Sequence, residues 1–360
     1  MFNIVRCDSY DEKKISKALK ELVDLKQFIK KGDKVLIKPN FLIASKPEAL
    51  VTTHPLVVKC IIKELDKIGA KAVIADSPGG PYNKNSLESI YKECGYINLP
   101  DEVKVELNYD TTTFIKKNPK GFIKYYKLIG VLDKVDKVIS VPKIKTHMLT
   151  TLTCSVKNLF GLIPGTEKVS FHGRFRKVED FCRMLADLAV LAKPTITIVD
   201  AVTGMEGEGP SAGAAKKVGL LIAGDNVFET DYNVCKIIGM DYETVPYLKI
   251  AREKKLFEEN DNDFKKYRTV FRKSHSSIVS KVWNVLPAFI KNLASNYWLE
   301  KPAINRKVCT GCGDCMRACP AKAIKIKDFK ANIDYNKCVR CYCCHELCRY
   351  KAVDLKKGLF

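Results

Sequence analysis

The most constraining feature of the sequence is a cysteine run that occurs twice near its C-terminal end. The first run has C-x2-C-x2-C-x3-C spacing, and the second repeats that spacing 29 residues later: Cys309, Cys312, Cys315 and Cys319, then Cys338, Cys341, Cys344 and Cys348. Apolar positions repeat with the same period, since Ile304 matches Ile333 and Ile324 matches Val353. Such a repeat predicts one small unit used twice, with a pseudo-twofold axis between the copies.

Closely spaced thiolates are soft donors that suit iron, and one loop can hold three corners of a cubane cluster. Four-thiolate zinc sites usually use two C-x2-C pairs with a longer gap, so zinc is the weaker alternative. The segment resembles the bacterial two-cluster ferredoxins over about 55 residues. That resemblance implies two [4Fe-4S] clusters that exchange their fourth ligand: Cys309, Cys312, Cys315 and Cys348 for cluster 1, and Cys319, Cys338, Cys341 and Cys344 for cluster 2.

Two features of the second run depart from the ferredoxin pattern. Arg349 follows Cys348 where the first run has proline after Cys319, and Cys343 is an extra thiol inside the repeat. The spacing selects Cys344 as the ligand and leaves Cys343 as a bystander. The alternative is that Cys343 replaces a ligand after oxidation.

The remaining cysteines and the chain length place the protein in a broad class. The chain has 360 residues and 15 cysteines, with no export signal and no apolar stretch of the about 18 residues that a membrane helix needs. An odd number of cysteines without an export signal argues against a disulfide framework. We therefore expect a cytoplasmic, folded protein of two domains, and no membrane as its partner.

The net charge of +21 raises the question of a polyanionic partner. The basic residues are mostly lysines spread along the chain, without an arginine-rich or aromatic-interleaved tract, so nucleic acid is not expected as a partner. Residues 301–360, however, contain 14 basic and 5 acidic side chains. This local excess predicts an acidic electron-transfer protein as the partner, either a ferredoxin or a flavodoxin-like protein.

The first 250 residues alternate short apolar runs with amphipathic stretches, which is typical of a mainly parallel sheet covered by helices. The predicted strands are Lys34–Lys38, Ala72–Asp76, Lys137–Val141, Thr195–Asp200 and Gly219–Ala223, and the predicted helices are Asp11–Asp24, Pro55–Ile68 and Val178–Leu191. The expected fold is therefore α/β for residues 1–256, with a small C-terminal α+β domain of the two-cluster ferredoxin type at 303–360.

Residues 257–302 are predicted to be a helical connector. The segment KYRTVFRK is predicted to be charged helix, and the following amphipathic stretch is broken by Pro287. Packing against the main domain is the expected use of that stretch; Trp283 and Trp298 make a membrane-surface helix the alternative.

Several phrases of the large domain are distinctive together: VLIKPN (35–40), ADSPGG (75–80), PKIKTH (142–147) followed by VKNLFG (156–161), and IVDAVTGMEGEGP (198–210). On these phrases the chain resembles the bacterial and archaeal family named domain of unknown function 362, whose members often carry a ferredoxin tail. The resemblance covers nearly the whole chain and implies the two-part architecture.

Each distinctive phrase follows a predicted strand, and in open α/β sheets ligands bind beyond the carboxyl ends of the strands. Lys143, Lys145 and His147 alternate, so in an extended segment all three project to one side and could bind a carboxylate or phosphate. We predict Lys143, Lys145, His147 and His172 as catalytic residues that bind the anion and donate protons. The predicted substrate-binding residues at the same edge are Lys38, Asn40, Asp76, Lys157, Asn158, Asp200, Glu206, Glu208 and Asp225.

These residue types also occur in purely structural roles. Each taken alone could cap a helix or a loop. A second interpretation of the acidic residues is a divalent metal held by Asp200, Glu206 or Glu208 with His147 or His172. The sequence lacks the glycine motifs of dinucleotide and P-loop sites.

Three functions follow from these patterns. The first is an iron-sulfur reductase that passes single low-potential electrons to an anionic small molecule at the sheet edge. The second is a non-catalytic electron carrier or cluster-delivery protein whose large domain binds a client protein. The third is a nucleic-acid or membrane binder driven by charge. The first is preferred because it explains both halves of the chain.

Overall fold

The computed structural model describes residues 1–175, 177–274 and 300–356. The strands of the large domain are β1 (Phe2–Arg6), β2 (Lys34–Pro39), β3 (Lys71–Ile74), β4 (Val105–Leu107), β5 (Thr113–Lys117), β6 (Tyr125–Ile129), β7 (Lys137–Val141), β8 (Lys143–His147), β9 (Thr151–Thr153), β10 (Ile196–Glu206) and β11 (Ala214–Gly224). Its helices are α1 (Glu12–Leu22), α2 (Pro55–Ile68), α3 (Lys84–Glu93), α4 (Leu99–Glu102), α5 (Ser155–Asn158), α6 (Gly165–Arg174), α7 (Val178–Ala192), α8 (Val227–Ile237) and α9 (Pro246–Glu253).

The strands form one mixed sheet in the order β1-β11-β10-β7-β2-β3-β4, while β5 and β6 form a separate hairpin. Strands β10, β7, β2, β3 and β4 run parallel, whereas β11 is antiparallel to both β10 and β1. Strand β8 continues from β7, pairs in parallel with β10 and carries β9 on its other side. The predicted α/β class with a mainly parallel sheet is confirmed.

Apolar runs explain why the central strands are buried on both faces. Val35, Leu36 and Ile37 of β2 are fully buried, and they alternate between two separate hydrophobic clusters, one on each side of the sheet. Helix α2 begins at Pro55 as predicted and ends at Gly69, whose φ of 81° suits a residue without a Cβ. Helices thus cover both faces, and the carboxyl ends of the parallel strands are left to form a site.

The C-terminal part contains β12 (Lys301–Ile304), α10 (Asp314–Arg317), β13 (Ile324–Lys327), β14 (Lys330–Ile333), α11 (Cys343–Glu346) and β15 (Val353–Lys356). Strand β12 pairs with β15, and β13 pairs with β14, all antiparallel. Strands β12 and β13 belong to the first copy of the repeat, and β14 and β15 belong to the second. Each pair therefore joins one strand from each copy. The backbone repeats as well, since Gly311 and Gly313 have positive φ, as do their counterparts Arg340 and Tyr342. The predicted small α+β domain is present, and it is called the cluster domain below.

The described start of the predicted connector is not the charged helix that was expected. Residues 265–267 form one 3-10 turn, and the chain then runs extended along the large domain. The Thr269 and Phe271 amides donate to the carbonyls of Ile237 and Ile238, which satisfies the backbone without a helix. The amphipathic stretch with Pro287 lies outside the described residues.

In the described residues no helix is both long enough and apolar enough to cross a bilayer.

Candidate functional site

The cysteines of the two runs separate into two sets of four in the cluster domain. One small cavity of about 20 Å³, called thiol cavity 1, is lined by Cys309, Cys312, Cys315 and Cys348. A second of the same volume, thiol cavity 2, is lined by Cys319, Cys338, Cys341 and Cys344. These are the two sets that the ferredoxin resemblance implies, including the exchanged fourth ligand.

The surroundings of the sulfur atoms fit an iron-sulfur cluster in each thiol cavity. All 15 cysteines are free thiols. Backbone amides point at three of the cysteine sulfurs: Ala323 N lies 3.2 Å from Cys319 Sγ, and Ala352 N lies 3.2 Å from Cys348 Sγ. The third is Ala331 N at 3.4 Å from Cys309 Sγ. Such N–H···S contacts stabilise thiolate ligands and help to set the potential of a cluster.

A third cavity, called the interdomain cavity, lies where the cluster domain packs on the carboxyl edge of the sheet. Its volume is about 80 Å³, enough for a small molecule. Gly79 lets the domains approach, because a Cβ there would come within 2.1 Å of Leu347 Cδ2. Seven predicted site residues line this cavity: Asn40, Asp76, Lys145, His147, Lys157, Asn158 and His172.

Strand β8 places Lys145 and His147 in the lining. The segment stays extended, as the alternation argument required, and all five of its residues are buried. Lys145 Nζ donates to Asn40 Oδ1 at 2.7 Å and to the Val51 carbonyl at 2.9 Å. Both acceptors are neutral, so the charge of the Lys145 ammonium has no carboxylate bonded to it.

His147 presents an N–H group to the interdomain cavity. Its Nδ1 accepts the backbone amides of Leu149 and Thr150 at 3.1 and 3.3 Å. In the neutral ring the proton is then on Nε2. Nε2 lies 3.3 Å from Glu346 Oε1 of the cluster domain, yet neither atom makes a hydrogen bond within the described ranges.

Lys157 adds a cation to the cavity wall, and the neutral His172 ring lies on the same wall. Lys157 Nζ lies over the rings of Phe160 and Phe181, at 4.6 and 5.7 Å from their centroids. His172 stacks on Phe181 with a centroid distance of 4.4 Å. Aromatic rings stabilise the Lys157 ammonium while leaving its N–H groups available to a ligand.

A buried ion pair supports the floor of the cavity. Lys38 Nζ lies 2.9 Å from Asp76 Oδ1 and 3.3 Å from Asn158 Oδ1. Gly161 allows this arrangement, since a Cβ there would lie 1.9 Å from Asp76 Oδ1. Lys38 is fully buried and absent from the lining, so it neutralises Asp76 rather than facing a ligand.

Burial changes the proton affinities of the lining groups. Desolvation, followed by the charges of Lys143 and Lys157, lowers the pKa of Lys145 to about 7. Desolvation also lowers the pKa of Lys157, and it lowers the pKa of His172 to about 3. Desolvation raises the pKa of Glu346, against the lowering effect of the nearby lysines. An anion in the cavity would offset the desolvation of the lysines and favour their charged forms.

Six predicted site residues lie outside the lining: Lys38, described above, and Lys143, Asp200, Glu206, Glu208 and Asp225. Lys143 shares the buried side of β8 but lies outside the lining, because its Nζ is held by Asp200 Oδ2 at 3.0 Å and by the Tyr10 hydroxyl. Asp200 also accepts the His54 amide at 2.9 Å, and its position is in the middle of β10 rather than at a strand end. The two residues therefore form a buried ion pair beside the cavity.

Neither Glu206 nor Glu208 is among the lining residues, although Pro210 is. Strand β10 runs six residues further than predicted and ends at Glu206. Glu206 Oε2 accepts the Arg272 amide at 2.8 Å and pairs with Lys216. Asp225 is at the opposite edge of the sheet, since β11 runs antiparallel to its neighbours. There it binds the N-terminal ammonium at 2.8 Å.

The alternative of a divalent ion in the large domain receives no support from these positions. Among residues 1–175 and 177–274, no group of three or more His, Cys, Asp or Glu side chains is arranged to hold a metal ion.

Three lining residues with titratable side chains were missed: Lys168, Cys343 and Glu346. Lys168 donates to the carbonyls of Ser77 and Pro78 from helix α6, and no sequence motif marks it. The other two had a signal, because the second cysteine run reads Cys343-Cys344-His345-Glu346 where the first reads Asp314-Cys315-Met316-Arg317. The place where the two copies differ is the surface of the cluster domain that faces the cavity.

Comparisons with known proteins agree with this two-part organisation. Residues 35–236 match the model of a family described as domain of unknown function (DUF362), and residues 301–349 match a 4Fe-4S dicluster domain. The C-terminal part is therefore an iron-sulfur domain of the ferredoxin type, which transfers electrons.

The chain is 30% identical over 249 residues to a thylakoid-associated protein of Synechocystis sp., with 68% of this chain and 76% of that protein covered. It is 44% identical over 48 residues to one component of an ion-translocating oxidoreductase complex of Methanosarcina acetivorans, or 13% of this chain and 18% of that protein. The lactate racemase apoprotein from Thermoanaerobacterium thermosaccharolyticum superposes with a TM-score of 0.43 and 14% identity, covering 66% of this chain and 56% of that chain.

Proposed function

This chain belongs to the family of the domain of unknown function 362, and we propose that it is a reductase that passes single low-potential electrons from two [4Fe-4S] clusters to a small organic anion in the interdomain cavity. One observation carries the proposal. Cys343 adjoins Cys344, which lines thiol cavity 2, and it also lines the interdomain cavity opposite Lys145 and Lys157.

Charge selects the ligand class. Lys145 and Lys168 donate to neutral acceptors, and Lys157 rests on aromatic rings, so their charges are not cancelled by bonded carboxylates. Of the two carboxylates in the lining, Asp76 is paired with Lys38. A carboxylate or phosphate group would satisfy these donors in a site largely shielded from water.

The order of electron flow follows from which cysteine run lines the interdomain cavity. Cys343, Glu346 and Leu347 of the second run line it, and Cys312 of thiol cavity 1 is exposed to a donor protein. We assign entry to the cysteines of thiol cavity 1 and exit to those of thiol cavity 2. Two clusters held there would supply one electron each, which is the pair needed to reduce one bond. The reductant is an acidic electron-transfer protein, ferredoxin or flavodoxin-like, and the proposed compartment is the cytoplasm.

The two accompanying protons pass through the Lys145 ammonium, which gives one proton, is reprotonated from water and gives the second. The Lys145 ammonium is suited to this role because a pKa of about 7 lies near the operating pH. His147 contributes an Nε2–H that points toward the cavity, and it stabilises negative charge that develops on the substrate. Lys157 and His172 hold the anion.

The test begins with anaerobic protein whose clusters have been reduced with dithionite and freed of excess reductant. Small 2-oxo and unsaturated carboxylates are added one at a time, and cluster reoxidation is followed by visible absorbance. We expect reoxidation by at least one carboxylate, with loss of that reaction in Lys145→Met and Lys157→Met variants that keep their iron.

The alternative function gives a different result. An electron carrier or cluster-delivery protein would be reoxidised by an acceptor protein but by none of the carboxylates. Its rate would be unchanged in both cavity variants.

A further inference from the structure

Cys343 differs from the other cysteines of the cluster domain in what its thiol contacts. It is 4% exposed and does not line either thiol cavity. Its Sγ lies 3.9 Å from the carbonyl oxygen of Cys341 and also contacts the Cys341 thiol, and the residue lines the interdomain cavity. The first cysteine run has Asp314 at the equivalent position, so the thiol occurs only in the copy that lines the interdomain cavity.

A second observation shows that the same cavity is built for a ligand. His147 is 1% exposed and lines the cavity, and its Nε2 makes no hydrogen bond among the described residues, although Glu346 Oε1 lies 3.3 Å away. A buried donor of this kind is costly unless a ligand satisfies it. Lys157 adds an ammonium on the same wall.

We propose that Cys343 is a substrate-contacting residue, whose thiol faces the anion held by Lys157 and His147 on the side nearest cluster 2. This inference rests on the proposed function, because it takes the interdomain cavity as the anion site. Under this proposal Cys343 connects the bound anion to the cysteine loop of cluster 2. The spacing of the cysteines had instead predicted that Cys343 is a bystander.

The arrangement makes a chemical prediction that needs no turnover. An anion with a reactive carbon beside its carboxylate would dock on the cations with that carbon near Cys343 Sγ. Iodoacetate is such a probe: the sulfur displaces iodide, a C–S bond forms, the C–I bond breaks, and the thiol proton leaves to solvent. Iodoacetamide has the same size and reactive carbon but lacks the charge, so it is the matched control.

The experiment uses the anaerobic full-length protein with its clusters in place. It is treated with either reagent, and the modified peptide is quantified by mass spectrometry. We expect Cys343 to be the principal labelled site. We also compare the rates at which the two reagents alkylate Cys343. The rate with iodoacetate divided by the rate with iodoacetamide should be about tenfold higher in the folded protein than in the urea-unfolded chain, since the cations raise the local concentration of the anion. Acetate should slow the iodoacetate reaction in a saturable way.

Two variants complete the design. Cys343→Ser should abolish labelling of that peptide, and Lys157→Met should return the rate ratio to that of the unfolded chain while iodoacetamide still reacts. The proposal is overturned if the label lies elsewhere, if neither reagent reacts, or if the ratio equals the unfolded value.

Calorimetry with acetate separates this proposal from the proposed function. Acetate binding that depends on Lys157 but gives no protection of Cys343 would refute the role of the cysteine alone. Absence of acetate binding would refute the anion site itself.

Discussion

His147 Nε2 lies 3.3 Å from Glu346 Oε1, and this contact joins the end of strand β8 to the second cysteine run of the cluster domain. Glu346 thereby brings a carboxylate to a wall that otherwise carries Lys145, Lys157 and Lys168. Its negative charge competes with an incoming anion for these cations.

Replacing that carboxylate should therefore strengthen anion binding. In Glu346→Gln we expect the affinity for acetate to rise about fivefold, because a negative charge near the lysines is removed. Calorimetry on the anaerobic protein measures this. Asp354→Asn, on strand β15 of the same domain, is the charge-matched control and should leave the affinity unchanged. Weaker binding in Glu346→Gln would show that the carboxylate helps to hold the ligand.

The two lysines of β8 should respond differently to the same substitution. Lys143→Met leaves Asp200 buried without its cation and should lower the free energy of unfolding by about 3–5 kcal/mol. Lys145 has neutral partners, so Lys145→Met should unfold at nearly the native temperature but bind acetate at least about tenfold more weakly.

Thermal unfolding and calorimetry distinguish these two outcomes. Lys217→Met, on the exposed part of β11, is the control for loss of a lysine. If Lys145→Met lost stability but kept its affinity for acetate, this lysine would be part of the scaffold.

Anion affinity should depend on pH through Lys145. Its pKa is lowered to about 7, so the ammonium form that binds an anion predominates below pH 7 and is lost as the pH rises above it. We expect the affinity for acetate to fall between pH 7 and 9, by at most about tenfold per unit for each proton that binding requires. Desolvation also lowers the pKa of Lys168 to about 7. In Lys145→Met the affinity for acetate should therefore still fall with pH, but less steeply than in the native protein. An affinity that rises with pH would contradict the cationic role of Lys145.

The adjacent thiols Cys343 and Cys344 should differ in iron binding. Native anaerobic protein should hold about eight iron and eight sulfide per chain. Cys344→Ser removes a thiol of cavity 2 and should lower the iron content to about four, whereas Cys343→Ser should keep about eight. Iron and sulfide analysis with EPR of the reduced protein tests this pair. Equal losses in both variants would make Cys343 a ligand or a requirement for assembly.

Docking of the electron donor should depend on salt. The basic excess of residues 301–360 would attract an acidic ferredoxin, so the rate of cluster reduction by a reduced ferredoxin should fall by about an order of magnitude as the ionic strength rises. Stopped-flow measurements across a salt series provide the test. A flat response would mean that the basic residues only solvate the surface.

The sequence by itself determined the elements whose signals are local. Spacing in the two cysteine runs predicted a repeated thiol-rich unit, and the resemblance of that unit to two-cluster ferredoxins implied the two sets of four thiols that the structure brings together. Continuous apolar runs predicted β7 with its observed bounds and β2 to within one residue, since such runs are stable only when buried on both faces. The alternation of residues 143, 145 and 147 predicted that Lys145 and His147 lie on a common side of an extended segment.

Only the tertiary structure decided strand direction and contact between the domains. The run at Gly219–Ala223 reads as a buried strand whether it is parallel or antiparallel, so the position of Asp225 at the far edge could not be foreseen. The roles of Lys143 and Lys145 depend on the group that each lysine contacts. Lys143 contacts the carboxylate of Asp200, 57 positions away in the chain, and Lys145 contacts the amide of Asn40, 105 positions away. Cys343 and Glu346 became site residues because the cluster domain packs that helix onto the sheet edge, and such a contact between distant surfaces leaves no periodicity in the sequence.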